Sequence, residues 1–385
     1  MDMTSIFNKE RFLNLTNLIN YYTSMLATQI FPNKKNENWR YSDIYLLNYK
    51  IIKSNNKCEF IENISKKILN IIIYDNFIIV DKNDSFIIQN NNFPSYFICD
   101  KYFDNQYQIL TNLINLTKIL SFTILKNTCI KIKFKTTANQ NILILLDSED
   151  HINLKLNEEF DICSNSTINY ILKSKYNNFS NIQHLRFNLS SGAILYSSNI
   201  NLKNKSKYYR YAFNFNSISF REYLKSNLYY KSQAFFFGIT SGYNNEIYDN
   251  IIETNHFGNK SQSLQKYFQV LNELSSSFFY GKIFVKEKLK KIIAHQLNRN
   301  IILNDYVTSF SRPELNINSD DINCSHGATF TNFHIDYINY FKNRGIPKYI
   351  AIKIIIEAFL MEIILNLKID NKERFTLKDI LNKNI

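Results

Sequence analysis

Two residues in the last third of the chain, Cys324 and His326, are of the types that bind soft and borderline metal ions. They are two positions apart, and side chains two positions apart on a β-strand lie on the same face. Thiolate and imidazole suit iron, zinc or copper, whereas calcium and magnesium prefer oxygen ligands. Structural zinc takes four ligands, and iron–sulfur clusters usually take four thiolates. The pair therefore predicts half of a metal site, with the missing ligands supplied by another surface.

The same residues also have an ordinary structural interpretation. A single Cys commonly packs as a small apolar side chain, and a single His is commonly a hydrogen-bonded core or surface residue. The other cysteines, at positions 58, 99, 129 and 163, are widely spaced and form no Cys-x-x-Cys. This spacing indicates neither a disulfide framework nor a self-contained metal motif, and it fits a reducing compartment.

The net charge of +13 over 385 residues would ordinarily indicate nucleic acid or an anionic surface as a partner. The lysines are scattered singly, however, and they accompany an excess of Asn, Ile, Tyr and Phe with few Gly and Pro. No Arg-rich run is present. We therefore attribute the charge to coding bias and predict no nucleic-acid partner.

Membrane and targeting signals are weak. The first ten residues have no basic segment leading into an apolar one, which predicts a cytoplasmic protein. The most apolar segment, 349–367, is about as long as a membrane span but carries Lys353, Glu357 and Glu362. Each charge costs about 3 kcal/mol at a bilayer centre, so we predict a soluble core helix and no membrane contact.

Hydrophobic spacing divides the chain into three parts. Segment 12–30 has the helical period and is stopped by Pro32. From about residue 129 the period changes to two, with alternation over 129–135, 152–156, 184–189 and 211–216. Short strands without helix-length connections predict a sandwich, a barrel or a parallel β-helix. The scarcity of Gly and Pro argues against many tight hairpins and favours the β-helix.

The end of the chain returns to helical spacing. Residues 336–342 predict a short helix that ends at Gly345, and Pro347 stands where a second helix to about residue 367 would begin. Both helices are apolar on nearly all sides, so we expect one face to pack on the β region and another to contact a partner.

Several segments resemble the SufD branch of the SufB/SufD family of Fe–S cluster assembly proteins. Ser-Arg-Pro-Glu-Leu-Asn-Ile at 311–317 and Asp-Asp-Ile-Asn-Cys-Ser-His-Gly-Ala-Thr at 320–329 resemble its C-terminal signature. So do residues 340–346 and the later Glu-Ala-Phe at 357–359. Residues 31–43 and 295–300 resemble other family motifs. The resemblance covers about half of the chain and is faint in the middle.

The resemblance implies a mainly β fold: a right-handed parallel β-helix flanked by N-terminal and C-terminal helical segments. We expect an N-terminal helical or mixed domain at 1–100, the β-helix core at 101–328 and a C-terminal helical domain at 329–385.

The resemblance also implies a function. The chain would be a non-catalytic scaffold that pairs with a SufB-like paralogue through the β-helix, and a transient Fe–S cluster would form at that interface. His326 matches the family histidine that faces a cysteine of the paralogue, with Cys324 auxiliary. The C-terminal helices would dock a SufC-like ABC ATPase, since this chain has no phosphate-binding loop. The implied docking residues are Tyr340, Phe341, Arg344, Gly345, Ile346 and Glu357.

Two other functions stay open. A carbohydrate-active β-helix enzyme would need paired carboxylates on one face. Asp320 and Asp321 are adjacent, so on a strand they point to opposite faces. A nucleic-acid-binding protein is the third possibility, and it rests on net charge alone.

Overall fold

The computed structural model describes residues 12–13, 57–62, 68–75, 77–82, 86–88, 93–94, 107–114, 116–332 and 335–365, together with 367, 369, 374 and 377–379. Strands make up 62% of the structure, which confirms the predicted mainly β class. The strands are β1 (Phe12–Leu13), β2 (Lys57–Glu62), β3 (Ile68–Ile73), β4 (Phe77–Lys82), β5 (Phe86–Ile88), β6 (Phe93–Pro94), β7 (Lys118–Ile124), β8 (Thr128–Thr136), β9 (Gln140–Ser148), β10 (Asn153–Ile162), β11 (Thr167–Tyr176), β12 (Asn181–Asn188), β13 (Ala193–Leu202), β14 (Lys207–Phe215), β15 (Ser219–Leu228), β16 (Gln233–Gly242), β17 (Ile247–His256), β18 (Gln262–Leu271), β19 (Ser276–Val285), β20 (Lys290–Ile302), β21 (Thr308–Ile317) and β22 (Asp321–Asn332). The helices are α1 (Tyr107–Ile114), α2 (Ile335–Lys342) and α3 (Lys348–Ile364).

Two long sheets wind around a common core. Within the described residues, sheet 1 has eleven strands in the order β2-β4-β3-β8-β10-β12-β14-β16-β18-β20-β22. Sheet 2 has nine strands in the order β21-β19-β17-β15-β13-β11-β9-β7-β5. From β7 onward consecutive strands alternate between the sheets, and neighbours within each sheet run parallel. The fold is therefore a parallel β-solenoid of about eight turns, as predicted.

The length of a turn varies along the solenoid. In an early turn Thr167 lies opposite Ala193, whereas in a late turn Ser276 lies opposite Thr308, so the late turn is several residues longer. Most of the extra residues lie in β20, which has 13 residues where β12 has 8, and β20 carries an irregularity between Lys290 and Ile292. The paired strands stay in register across these turns while the sequence shows no strict repeat.

The interior of the solenoid is filled by stacked apolar rows. Leu154, Ile182 and Tyr208 are buried and in register on β10, β12 and β14, successive strands of sheet 1, and rings stack in the same way. Phe134 and Phe160 lie parallel with centroids 4.5 Å apart. Because similar turns place like residues above one another, each turn extends one continuous core.

Helix α3 packs on the outer face of sheet 1. Its buried residues contact an aromatic and aliphatic surface of the strands; the set is Ile356, Leu360, Ile363 and Ile364 against Tyr211, Phe213, Phe237, Ile239 and Phe268. Phe359 stacks on Phe268 at 4.7 Å between centroids. Burying each aliphatic side chain is worth roughly 1.5–3 kcal/mol, so α3 is firmly held.

Helix α1 lies on the outer face of sheet 2. The Gln108 side-chain amide donates a hydrogen bond to Ser197 Oγ (2.6 Å), and its carbonyl oxygen accepts one from Arg221 Nε (2.8 Å). Each sheet is thus covered on its outer face over part of its length.

Most predicted elements are confirmed. The four alternating segments lie in β8, β10, β12 and β14, which are consecutive neighbours in sheet 1, and the two predicted C-terminal helices correspond to α2 and α3. The predicted helix at 12–30 is wrong at its start, because Phe12–Leu13 pair with Phe93–Pro94 as strands. The rest of that helix and the motif at 31–43 lie outside the described residues.

The strands extend beyond the expected limits of the β-helix core. Strand β3 (Ile68–Ile73) pairs in parallel with β8, and β22 continues past residue 328 to Asn332. The expected domain boundaries remain predictions.

Candidate functional site

The last turn of the solenoid leaves two strand edges uncovered. Among the described strands, β21 is bonded in its sheet to β19, β22 is bonded to β20, and each is the terminal strand of its sheet. A terminal strand has backbone donors and acceptors along one whole edge, ready to pair with another chain. The end of the solenoid therefore presents a long surface for association.

His326 and Cys324 lie on this last turn, on the row that faces the interior in the turns below. Cys324 is in register with Ala294, and His326 is in register with Gln296. Ala294 and Gln296 are buried inside the solenoid, whereas His326 is exposed, because no further turn covers it in the described structure. This geometry agrees with the predicted shared face and places the imidazole at the open mouth of the interior.

The two candidate ligands differ in their surroundings. Cys324 is half-buried and packs against the apolar cluster that contains Ile292 and Ala294. Burial raises the pKa of the Cys324 thiol, against a smaller opposing effect of a hydrogen bond with the Ala294 backbone. A raised pKa keeps sulfur as the protonated thiol, which is a poor metal ligand. His326 is therefore the better presented donor of the two.

Polar side chains line the interior just beneath His326. Gln265, Gln296 and His326 follow one another in register on β18, β20 and β22. Both polar atoms of the Gln296 amide, and the Ser309 and Ser311 hydroxyls, are buried without a hydrogen-bond partner among the described residues. Buried polar groups are nearly always hydrogen-bonded, so each such group is a place for water or another ligand. Unmet polar atoms also occur in the middle turns, for example at Arg210 Nε and on the Asn250 amide, so they are not confined to the open end.

Gly281 makes room for the Gln296 side chain. A Cβ atom at residue 281 would lie 1.4 Å from Gln296 Nε2 and 2.6 Å from its amide carbon. Any larger residue would therefore displace the amide that lies beneath His326. Gln296 lies in the segment 295–300 that resembles a family motif, but neither Gly281 nor Gln296 was predicted as a site residue, because only the length of a solenoid turn relates them to His326.

The middle turns of the solenoid also contain ionisable groups, but these are sealed and matched. Arg186 Nη1 and Nη2 donate to the Glu222 carboxylate, at 3.1 and 3.3 Å, and Arg210 Nη2 donates to the same carboxylate. The Nε atoms of both arginines have no hydrogen-bond partner in the described structure. All three side chains are fully buried. Burial opposes the charge of Arg210, but Glu222 raises the pKa of its guanidinium.

Glu158 and His184 form a second buried group next to the first. Burial alone would raise the pKa of Glu158, but His184 and the hydrogen bond from Tyr170 hold it below its usual value. Burial lowers the pKa of His184, although Glu158 opposes this effect. A neutral His184 donates from Nε2 to Glu158 (2.9 Å) and accepts from Tyr208 at Nδ1 (2.5 Å). With His184 neutral, two carboxylates balance two guanidinium groups inside the solenoid.

Five of the six predicted docking residues lie at the end of α2 or in the turn between α2 and α3, whereas the sixth, Glu357, lies in the middle of α3. Gly345 has a φ of +77°, and Ile346 N–H donates to the Phe341 carbonyl at 3.1 Å. This is the Schellman arrangement that ends a helix, and it favours glycine at the left-handed position. The Arg344 guanidinium lies 3.7 Å from the centroid of the Tyr340 ring.

The surface around this turn is unusually apolar. Tyr337, Tyr340, Tyr349, Ile350 and Ile354 are all exposed, while the predicted docking residue Glu357 is half-buried. Exposed apolar residues concentrated in one place mark interaction sites. The opposite side of α3 is fixed to the solenoid, where Lys266 (3.0 Å) and Arg299 pair with Glu362.

No three His, Cys, Asp or Glu side chains in the described part of the chain come together as a possible metal site. No helix in the same ranges is both long and apolar enough to cross a membrane.

The sequence is similar to a known protein family and to several of its members. The model of the family "SUF system FeS cluster assembly, SufBD core domain" matches residues 132–359, more than half of the chain. An iron-sulfur cluster assembly SufBD family protein of Synechocystis sp. is 34% identical over 113 residues, which are 29% of this chain and 24% of that protein. Escherichia coli SufD, an iron-sulfur cluster assembly protein, is 29% identical over 119 residues, 31% of this chain and 28% of SufD. Bacillus subtilis SufD is 28% identical over 119 residues, 31% of this chain and 27% of that protein.

The aligned parts therefore span only about a quarter of these relatives. The family model adds most of the solenoid, including the open last turn and most of α3. The parallel solenoid, the matched core and the similar relatives agree, and the chain belongs to the SufB/SufD family of Fe–S cluster assembly proteins.

Proposed function

We propose that this chain is a non-catalytic scaffold subunit whose open last turn forms half of a nascent Fe–S cluster site. The observation that carries the proposal is the exposed His326, on an interior-facing row that ends without a cover in the described structure. A second solenoid subunit, a SufB-like paralogue, would cover that row and add thiolate ligands. The cluster is cargo, built there and passed on.

Several features support a solenoid partner rather than a small ligand. The free edges of β21 and β22 are 10 and 12 residues long, long enough to add strands from another chain. Phe310 and Phe330 are exposed on them, and Leu315 and Ile317 are half-buried. Covering such residues stabilises association, and pairing the edges satisfies their backbone groups.

His326 would contribute a neutral imidazole nitrogen to iron, which borderline metals accept readily. Cys324, with its raised thiol pKa, would pack beneath the cluster and assist only after losing its proton. The unmet Gln296 amide would hold water or orient the imidazole from the interior.

The helical turn at Tyr340 to Ile346 would bind the ABC ATPase that supplies energy. The exposed rings and Arg344 offer an aromatic and cationic anchor of the kind that dominates protein interfaces. Because α3 is fixed to sheet 1, movement of the ATPase would be transmitted to the solenoid through a rigid connection.

A carbohydrate-active enzyme is supported less well. Two nearby carboxylates have pKa values that differ in the way an acid and base pair needs. Burial raises the pKa of Glu253, and the hydrogen bond from Tyr280 lowers the pKa of Glu314. Lys282 lies between them in register, opposite both, and pairs with Glu314 at 3.1 Å. This ladder is a cross-strand ion pair on an outer sheet face, which needs no substrate to explain it.

Co-purification of this chain with a SufB-like paralogue and an ABC ATPase tests the proposal with two separable variants. Phe330→Glu places a charge on the open turn and should weaken paralogue capture at least about tenfold while ATPase capture persists. The double variant Tyr340→Ala, Arg344→Ala should weaken ATPase capture while paralogue capture persists. Ile218→Glu is the matched control, since Ile218 is 50% exposed and Phe330 is 45% exposed.

The proposal is wrong if Phe330→Glu retains the paralogue as well as Ile218→Glu does. Loss of both partners in every variant would instead show misfolding, which the melting temperature of each variant reveals.

A further inference from the structure

Lysines that are scattered in the sequence come together on one long edge of the solenoid. We call this the lysine edge: the four successive turns at 203–207, 229–232, 257–261 and 286–291, which lead from sheet 2 to sheet 1. Its lysines are Lys203, which is half-buried, and Lys205, Lys207, Lys231, Lys260, Lys286, Lys288, Lys290 and Lys291, which are exposed. None of them forms an ion pair with a described residue.

Backbone hydrogen bonds show that these turns are stacked in register. Lys205 N–H donates to the Tyr230 carbonyl (2.8 Å), Lys231 N–H to Asn259 (2.9 Å) and Lys260 N–H to Lys290 (2.9 Å). The same position of four successive turns is therefore occupied by Lys205, Lys231, Lys260 and Lys291. Neighbouring strands are about 4.8 Å apart, so four ammonium groups follow the axis over roughly 15 Å.

Backbone conformation does not explain the choice of lysine. These four residues have φ values of 57–61°, in the left-handed region where Gly, Asn and Asp are favoured. Five of the ten non-glycine residues with positive φ among the described residues are lysines, whereas Lys and Arg together are 46 of 385 residues. Lysine is thus enriched at a position that its conformational preference disfavours.

The opposite row of turns provides an internal comparison. Residues 163–166, 189–192, 216–218, 243–246, 272–275 and 303–307 connect sheet 1 to sheet 2 and contain no Lys or Arg. They do contain Glu246, Glu273 and Asp305. Coding bias would affect both rows equally, so it does not account for the asymmetry. The only acidic residue among 203–207, 229–232, 257–261 and 286–291 is Glu287. The turns 149–152, 177–180 and 318–320 of the same row contain no lysine and carry Glu149, Asp150 and Asp320, so the lysine edge is confined to its four turns.

The chemistry of the edge favours carboxylates over nucleic acid. Aromatic rings interleave the lysines, but ammonium groups cover them: Lys203 Nζ lies 4.2 Å from the Tyr229 centroid, and Lys205 Nζ lies 4.6 Å from that of Phe179. Lys231 similarly covers Tyr230 at 5.3 Å. Base stacking needs free ring faces, and phosphate recognition favours arginine forks, which these turns lack.

We propose that the lysine edge is a docking surface for an acidic segment of a partner protein. It is separate from the open last turn and from the turn between α2 and α3, so it adds a third contact surface. An extended segment of about five residues would span the four central lysines, at about 3.3 Å per residue.

Binding of fluorescein-labelled poly-L-glutamate to the full chain tests this proposal. The variant Lys205→Gln, Lys231→Gln, Lys260→Gln removes three edge charges without changing the turns, and affinity should fall about tenfold, since each exposed ion pair is worth roughly a two- to threefold change. The control Lys131→Gln, Lys135→Gln, Lys348→Gln removes three exposed charges elsewhere, and affinity should stay within about twofold of the unaltered chain.

Equal weakening by both triple variants would overturn the proposal, because binding would then follow net charge. Tighter binding of an oligothymidylate than of poly-L-glutamate at the same ionic strength, lost in the edge variant alone, would overturn it in favour of nucleic acid. Tighter binding to phosphatidylserine vesicles would overturn it in favour of a membrane surface.

Discussion

The middle turns of the solenoid and its last turn place ionisable side chains on the same interior rows, yet with opposite outcomes. In the middle, Glu222 is bonded by Arg186 and Arg210, and all three are sealed from solvent. At the end, His326 occupies the equivalent row and is exposed, above a Gln296 amide with unmet hydrogen bonds.

The two regions differ in what completes their interactions. A buried charge is tolerated only when it is paired, and the charges of the middle network balance within the chain. The exposed His326 needs no such pairing, and under the proposed function a partner subunit completes its ligand set. Stability should therefore depend on the middle network and cluster assembly on the last turn.

Substitutions in the middle network should change the free energy of unfolding more than any others considered. Glu222→Gln removes the carboxylate and leaves Arg186 and Arg210 as buried, poorly compensated charges, which should lower the free energy of unfolding by about 3–5 kcal/mol. Urea denaturation measures this change. Glu287→Gln, at an exposed carboxylate, should change it by less than about 0.5 kcal/mol. Equal effects of the two variants would contradict the account.

A second test uses pH and the sealed His256, which bonds Ser261 Oγ (2.7 Å) and Ser263 Oγ (2.9 Å). Burial lowers the pKa of His256 to about 4. The unfolded chain, with an ordinary value near 6.5, takes up the proton first as pH falls. The neutral His256 therefore contributes fully to the free energy of unfolding above about pH 6.5. This contribution is lost progressively toward pH 4, and about 2 kcal/mol of it is lost between pH 7 and pH 5.

Urea midpoints at these two pH values measure the loss, and His256→Gln should reduce it. An unchanged pH dependence in His256→Gln would show that this imidazole is not buried as described.

The smallest stability effects should come from the last turn. His326→Ala removes an exposed side chain and should change the free energy of unfolding by less than about 0.5 kcal/mol. Cys324→Ala removes a half-buried sulfur from the apolar cluster and should cost about 1 kcal/mol. Thermal melts of both variants check this, and a loss of several kcal/mol for His326→Ala would place the imidazole in the core instead.

The sequence predicted the strands whose two faces differ. Segment 129–135 alternates because one face of β8 is interior and the other carries exposed Lys131 and Lys135. Strand β15 (Ser219–Leu228) is buried at every residue and shows no alternation, so the period-two test could not detect it. The helices α2 and α3 were predictable from Gly345 and Pro347, which are local signals.

Relations between turns were not predictable from residue spacing. Arg186, Arg210 and Glu222 belong to three strands, and nothing local indicates that they meet. The lysine edge was missed for the same reason: early and late turns differ in length, so lysines in register look scattered. The candidate site was found from its residue types and the family resemblance, whereas its exposure at the open end needed the structure.

Anaerobic reconstitution with iron and sulfide tests the half-site. Three samples are reconstituted, namely this chain, a SufB-like paralogue and the two together, and the visible absorbance of the cluster is measured in each. We expect the pair that carries His326→Ala to associate normally but to build no cluster. The pair that carries His295→Ala, on the outer face one turn below, should build the cluster fully. Full cluster yield with His326→Ala, or an equal defect with His295→Ala, would contradict the account.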